Sequence, residues 1–223
     1  MRAVAASPIL LCCARAAFGQ AAARPGRRAM SAMSASSRGG HLSHSMGGER
    51  APPRALECAS GTGQHIAELA RSYPAVEWTP TDLTDESFGS VAAWCDGLPN
   101  VAPPRVLDAA APWPAELAEL ALVYCANMCH IAPFAATEGL VAGAARALRA
   151  GGALCIYGPF TVDGGRFTTP SNEQFDAALR ARDPRWGYRD VEDLRKLAAD
   201  GGMALVEKHD MRANNFMLVF RKE

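Results

Sequence analysis

Ser60-Gly61-Thr62-Gly63 joins a short apolar run, Ala55 to Ala59, to a stretch in which Ile66, Leu69 and Ala70 recur at helical spacing. Glycines at 61 and 63 let the backbone bend tightly and come close to a ligand, and the helix opening near Gln64 aims its unpaired N–H groups at whatever sits in that turn. Asp82 ends a second short strand 19 residues past Gly63, and Asp108 ends a third. In nucleotide-binding sheets a carboxylate at the end of the second strand accepts hydrogen bonds from ribose hydroxyls, so these adjacent ends offer a seat for a nucleoside. Dinucleotide folds keep a small residue three places after the second glycine, and Ile66 stands there, which argues against NAD. The chain has no Gly-x4-Gly-Lys-Ser/Thr string, which excludes an ATP-hydrolysing phosphate loop.

These groups need a sheet to hold them, and the pattern from residue 54 onward alternates strands and helices. Val76 to Trp78 reads as a second strand ended by Pro80 and Asp82, with Phe88, Val91, Ala92 and Trp94 to Cys95 on one face of the helix behind it. Arg105 to Leu107 is a third strand, and Leu120 to Ala126 a fourth, wholly apolar as expected of a strand covered on both faces. Thr137 to Leu148 reads as a helix closed by Gly151-Gly152, and Ala153 to Tyr157 as a fifth strand. Gly158 to Pro170 is a long loop; a helix capped by Ser171 or Asn172 follows, then another over Asp190 to Ala199, stopped by Gly201-Gly202. Met203 to Glu207 and Phe216 to Phe220, separated by a turn at Asn214-Asn215, pair as an antiparallel hairpin. The expected architecture is α/β: an open, mostly parallel sheet with an antiparallel C-terminal hairpin and helices on both faces.

Of the 223 residues, 49% are hydrophobic and 21% charged, with Lys plus Arg and Asp plus Glu both 23, the composition of an ordinary globular protein. The balance leaves no excess charge for nucleic acid or an anionic membrane, and no 18-residue apolar run predicts a membrane span. Charge is divided unevenly along the chain. Residues 1 to 48 hold six arginines and no carboxylate, leaving 17 basic against 23 acidic residues, a net of −6, over 49 to 223. The Ala- and Ser-rich leading piece fits a mitochondrial or plastid transit peptide or an extension outside the fold, and residues 49 to 223 form the single domain. A secretory signal fits less well because Arg15 directly follows the apolar stretch Ala3 to Ala14; a start at Met30, Met33 or Met46 and a cytoplasmic protein is the other reading. Seven cysteines without paired Cys-x-x-Cys modules support neither zinc nor a disulfide framework, and Cys125 and Cys129 read as small buried side chains. No metal is expected, and the sequence sets no oligomeric state.

Glu57-x-Ala59-x-Gly61-x-Gly63 resembles the first motif of class I S-adenosylmethionine (SAM) methyltransferases, with Ala59 in place of the usual first glycine. Leu56 through His65, Glu77-Trp78-x-Pro80-x-Asp82, Asn127-Met128-x-His130-Ile131-x-Pro133 and Tyr157-Gly158-Pro159-Phe160 resemble the methyltransferase-like protein 26 family more specifically. So do Ser171-Asn172-x-x-Phe175-Asp176, Leu179-Arg180-x-Arg182-Asp183-Pro184-x-Trp186-Gly187, Arg189-Asp190 and Met211-x-Ala213-Asn214-Asn215. The resemblance covers residues 54 to 222 and implies a Rossmann-like class I methyltransferase sheet and SAM as cofactor, with a small-molecule acceptor that the family does not specify. Members of the family open with a helix carrying an Arg-Asn pair and a Pro-Ile dipeptide, which in class I methyltransferases covers the methionine end of the cofactor; His41 to Pro53 carries neither.

Carried onto this chain, the resemblance places Glu57, Ala59, Ser60, Gly61 and Gly63 at the methionine and ribose part of the cofactor. Asp82 falls at the ribose hydroxyls and Asp108 near the adenine amino group. Asn127, Met128 and His130 fall around the reactive methyl, with His130 the candidate base and Asn127 beside it. Tyr157, Asn172, Asp176, Arg180 and Trp186 are the candidate acceptor contacts. Plainer readings stand beside these. The carboxylates can cap helices, His130 can be structural, and Arg180, Asp183, Arg189 and Asp190 can be an ion-pair network. Trp186 can be core packing, and Asn214-Asn215 only a turn. Functionally, a SAM-dependent methyltransferase leads, a non-catalytic SAM-binding or partner-binding module is the alternative, and an NAD-dependent oxidoreductase trails.

Overall fold

The computed structural model describes residues 51–223, so the expected transit peptide lies outside the described residues. Strand β1 (Arg54–Cys58) ends where Ala59 takes a φ of 61°, Gly61 53° and Gly63 91°, left-handed turns that carry the chain into α1 (Gln64–Ser72). Helix α1 buries Ile66, Ala67, Leu69 and Ala70 as one stripe. Then come β2 (Glu77–Asp82), α2 (Phe88–Trp94), β3 (Arg105–Val106), the wholly buried β4 (Leu120–Ala126) and α3 (Phe134–Ala147). After β5 (Leu148–Gly158) and β6 (Phe160–Thr161), α4 (Pro170–Arg182) leads to β7 (Arg189–Asp190) and α5 (Val191–Asp200). Strands β8 (Met203–Asp210) and β9 (Phe216–Lys222) close the chain around a short 3₁₀ turn at Arg212–Asn214.

Seven strands form one sheet in the order β3-β2-β1-β4-β5-β9-β8, and β6 with β7 makes a separate parallel pair. The first five strands of the sheet are parallel and β9 runs antiparallel to both β5 and β8, as the alternation of elements predicts. Opposite side chains of each strand feed two cores. Ala55, Trp78, Leu122, Tyr124 and Met217 meet α1 and α2, while Leu56, Val123, Ile156, Leu218 and Phe220 meet α3 and α5. Parallel strand order that reverses between β1 and β4 leaves a crevice at their carboxyl ends, the place where open α/β sheets take ligands.

Four local expectations are revised. Pro80 does not end β2 but lies inside it, opposite Glu57. The N–H and C=O groups of Trp78 and the C=O of Asp82 face the β3 side, so Pro80's missing donor faces that side too, where β3 does not begin until Arg105. Helix α3 stops at an extended Leu148 rather than at the glycine pair; Gly151, at φ 72°, instead sits in a bulge of β5 where the pairing jumps from Leu148 to Ala153. Thr169, not Ser171 or Asn172, caps α4, accepting from Asn172 N–H with Pro170 in the first turn. The segment after Gly158 is tied down by β6 and by Asp190, whose carboxylate accepts from Thr161 Oγ1 at 3.0 Å and Gly165 N at 2.7 Å.

Candidate active site

A cavity of about 770 Å³ opens at the carboxyl ends of β1 to β4, within the ~300–1,000 Å³ of small-molecule clefts. Its floor is the turn from Cys58 to Thr62 with Gln64 and His65 of α1; Asp82 to Thr84, Leu107 to Ala110, and Ala126 with Met128 supply the walls. Asp82 is fixed in place: its Oδ2 accepts from Gly61 N at 2.7 Å and its Oδ1 from Leu83 N at 2.7 Å, and each oxygen keeps lone pairs for further donors. Gly61 bends the turn around this carboxylate, and a Cβ on it would meet no atom of the described residues within 4 Å. Gly63 has a different task. A Cβ there would come within 2.7 Å of Val91 Cα, so its bareness lets α2 approach the turn. Asp108 accepts from Ala110 N at 2.9 Å, shaping the wall after β3.

Glu57 and Gly63 do not line this cavity. Glu57 is 1% exposed beneath the turn, 4.0 Å from His65 Nδ1, and among the described residues neither of its oxygens is within good hydrogen-bond geometry of a donor. Burial pushes its carboxyl up to about 8, Ser60 opposes the rise, and the charge of Asp82 adds to it. A folded value above the ordinary 4.5 means that the native state holds a proton the unfolded chain releases, so stability falls as pH rises through the window from about 5 to about 8. The slope approaches about 1.4 kcal/mol per pH unit. Glu57→Gln is expected to flatten that slope. Urea unfolding of both proteins between pH 5 and pH 9 checks it, and parallel curves would show that Glu57 ionises normally.

Asn127 to Ile131, the loop after β4, divides two cavities. Met128 and Ile131 face the first, whereas Asn127 and His130 line a second of about 510 Å³ with Pro159, Ser171, Asn172, Phe175, Tyr188 and Ala213 to Asn215. The division follows from Asn127, which sits at φ 62° with its N–H on Tyr157 O and so turns the chain at the strand end. Sequence spacing groups Asn127, Met128 and His130 together; the structure puts Met128 on the other side. His130 is 6% exposed, and burial first, then the nearby charge of Arg189, pulls its imidazole down to about 4, so the ring is neutral at physiological pH.

The expected acceptor contacts separate as well. Asn172 lines the second cavity but braces it, donating to Thr168 Oγ1 at 3.1 Å and Asn214 O at 3.3 Å. Tyr157 lines none of the cavities described, and its hydroxyl accepts from Asn215 Nδ2 at 2.9 Å. Asp176 and Arg180 pair at 2.7 Å and border a third cavity of about 650 Å³ with Arg189 and Asp190. Trp186 is half-buried and lines none of these cavities. The residues read as one possible ion-pair network do not pair with one another. Asp183 holds Arg185, while the buried Arg189 donates to the carbonyls of Cys129, Ala132 and Arg185 and lies 5.4 Å from the Phe134 ring centre. Sequence reading missed Ser171, Phe175 and Tyr188 as cavity residues; two aromatics flanking the Asp176 and Trp186 strings were the available signal.

Cys58, Cys125 and Cys129 are free, buried thiols. Hydrogen bonds that the Cys125 S–H donates to Cys129 and Cys58, with burial, hold the Cys125 thiol well above its usual value. Among the described residues no helix is long and apolar enough to cross a membrane.

The DUF938 family model, described as protein of unknown function, matches residues 42–222. The chain belongs to the DUF938 family. This DUF938 chain also superposes on solved methyltransferases at low identity. An O-methyltransferase family protein from Burkholderia thailandensis aligns with a TM-score of 0.66 at 17% identity, over 77% of this chain and 51% of that one. Human N-acetylserotonin methyltransferase, in complex with SAM, gives 0.62 at 16%, over 76% and 47%. The O-methyltransferase NcsB1 from neocarzinostatin biosynthesis, in complex with SAM and 2-hydroxy-5-methyl naphthoic acid, gives 0.61 at 16%, over 78% and 50%. The DUF938 chain spans about half the length of these structures. The shared fold is the Rossmann-like methyltransferase sheet.

Proposed function

We propose that this chain is a SAM-dependent methyltransferase acting on a small-molecule acceptor, within the group that the methyltransferase-like protein 26 strings resemble. The observation that carries the reading is the first cavity, where the Asp82 carboxylate is held against the glycine turn at the sheet's switch point. The residues fit an adenosyl ligand. Asp82 would take the two ribose hydroxyls, Asp108 the adenine amino group, and Leu107, Ala109, Ala126 and Met128 the flat apolar ring. Gly61 and Ser60, with the first-turn N–H groups of α1, would face the methionine end, and Glu57 and Gly63 would support that turn from beneath. Bound there, SAM supplies an electrophilic methyl on a sulfonium. His130, kept neutral by burial and Arg189, has a lone pair with which to take a proton from an acceptor O–H or N–H in the second cavity. Asn127 stands beside it as an orienting amide.

NAD fits less well because Ile66, at the position a dinucleotide fold keeps small, is fully buried in the core. Calorimetric titration of the full chain with SAM, S-adenosylhomocysteine and NAD is expected to show micromolar binding of the two adenosyl-sulfur ligands and none of NAD. Binding of NAD alone, or of no ligand, would overturn the reading.

A further inference from the structure

The second cavity has a chemical character of its own. Among the described residues its lining contains no Asp, Glu, Lys or Arg: the polar members are four asparagines, a serine, a tyrosine and a histidine held neutral. Two charged groups packed behind its aromatic wall are engaged with other partners. Arg189 is bound to three carbonyls, and Asp176 accepts from Tyr188 N at 2.6 Å and Arg180 Nε at 2.7 Å. A carboxylate or ammonium ligand entering here would give up part of its hydration and meet no counter-charge among the described lining residues.

The geometry also favours a flat ligand. His130, Phe175 and Tyr188 stand as three mutually tilted rings with centres 6.0 to 6.4 Å apart, and Phe175 remains 45% exposed among the described residues, leaving apolar ring surface for a ligand. Two polar atoms converge beside them. A point one bond outward from Gly158 Cα lies 3.5 Å from His130 Nδ1 and 3.8 Å from Asn127 Oδ1, and neither side chain has a hydrogen bond among the described residues. The walls are prebuilt, because Asn172 ties Thr168 to Asn214 and Asn215 ties the 3₁₀ turn to Tyr157. Little ordering is left to oppose binding.

We propose that the second cavity selects an uncharged, planar acceptor, a neutral aromatic ring or amide that packs on Phe175 and Tyr188 and exchanges hydrogen bonds with Asn127 and His130. Calling the ligand an acceptor rests on the methyltransferase reading; the preference for a neutral planar molecule rests on the cavity alone.

Three isosteric probes separate charge from shape: benzamide, benzoate and benzamidinium, titrated by ligand-observed NMR into the full chain with and without S-adenosylhomocysteine. Benzamide is expected to bind about tenfold or more tighter than either ion. Phe175→Ala, at an exposed ring, is expected to weaken benzamide about tenfold. Asn127→Asp, which tolerates the same left-handed backbone, is expected to reverse the order in favour of benzamidinium. Equal or tighter binding of an ion to the unaltered protein, no binding of any probe, or unchanged benzamide affinity in Phe175→Ala would overturn the proposal. The S-adenosylhomocysteine titration on the same samples reports separately on the methyltransferase reading, whose failure would leave a neutral-ligand pocket without the acceptor role.

Discussion

Asp82→Ala is expected to lower the affinity for S-adenosylhomocysteine by about 100-fold or more, since two hydrogen bonds to a charged group contribute roughly 1.5–3 kcal/mol each. The carboxylate is where a ribose needs it because the backbone holds it there: Gly61 N binds one oxygen and Leu83 N the other. Removing it also frees those two N–H groups at a half-exposed site, which costs about 1–2 kcal/mol of stability and leaves a domain of this size folded. Asp82→Asn keeps one carbonyl oxygen and loses the charge, so its affinity should fall between the two. Calorimetry gives the affinities, and far-ultraviolet circular dichroism with thermal melting shows whether the fold survives. Unchanged affinity in Asp82→Ala would mean that the ribose is held elsewhere, and the cavity at β1 to β4 would lose its claim to the cofactor.

What the sequence made legible were features whose physics is local. An unbroken apolar run gave β4, because a strand covered on both faces has no polar side to show. The turn from Ser60 to Gly63 announced itself through glycines that adopt positive φ, and Asp82 through its place at the following strand end. Features that depend on direction were not legible. Residues 127, 128 and 130 are neighbours in sequence, and only the left-handed Asn127 decides that Met128 faces one cavity and His130 another. Asp176 and Arg180 sit on the same helix as Asn172 and Phe175, yet they border a different cavity. Pro80 reads as a strand breaker until the neighbour it would have bonded is seen to be lacking. The bracing roles of Arg189 and Asp190 rest on carbonyls and amides up to 60 residues away, which no spacing rule reports.

Gly139→Ala is expected to damage stability and cofactor affinity together. Gly139 and Gly143 lie about one turn apart on α3, and both face the segment after β3. A Cβ on Gly139 would lie 2.0 Å from Ala109 O and 2.7 Å from Ala110 Cα, and one on Gly143 would enter the Trp113 ring at 2.3 Å. The atoms opposite Gly139 are backbone, so no side-chain rotation relieves the overlap, and the segment must move away from the helix. That segment is a wall of the first cavity, since Asp108, Ala109 and Ala110 line it and Asp108 Oδ1 fixes Ala110 N. A loss of about 3 kcal/mol or more and at least a tenfold fall in S-adenosylhomocysteine affinity follow. Gly89→Ala is the matched control. It lies in α2 with no atom of the described residues within 4 Å of its added Cβ, so the same substitution there should stabilise by about 0.5–1 kcal/mol and leave affinity alone. If Gly139→Ala melted like Gly89→Ala, the close approach of α3 to the wall would not be what sets the cavity's shape.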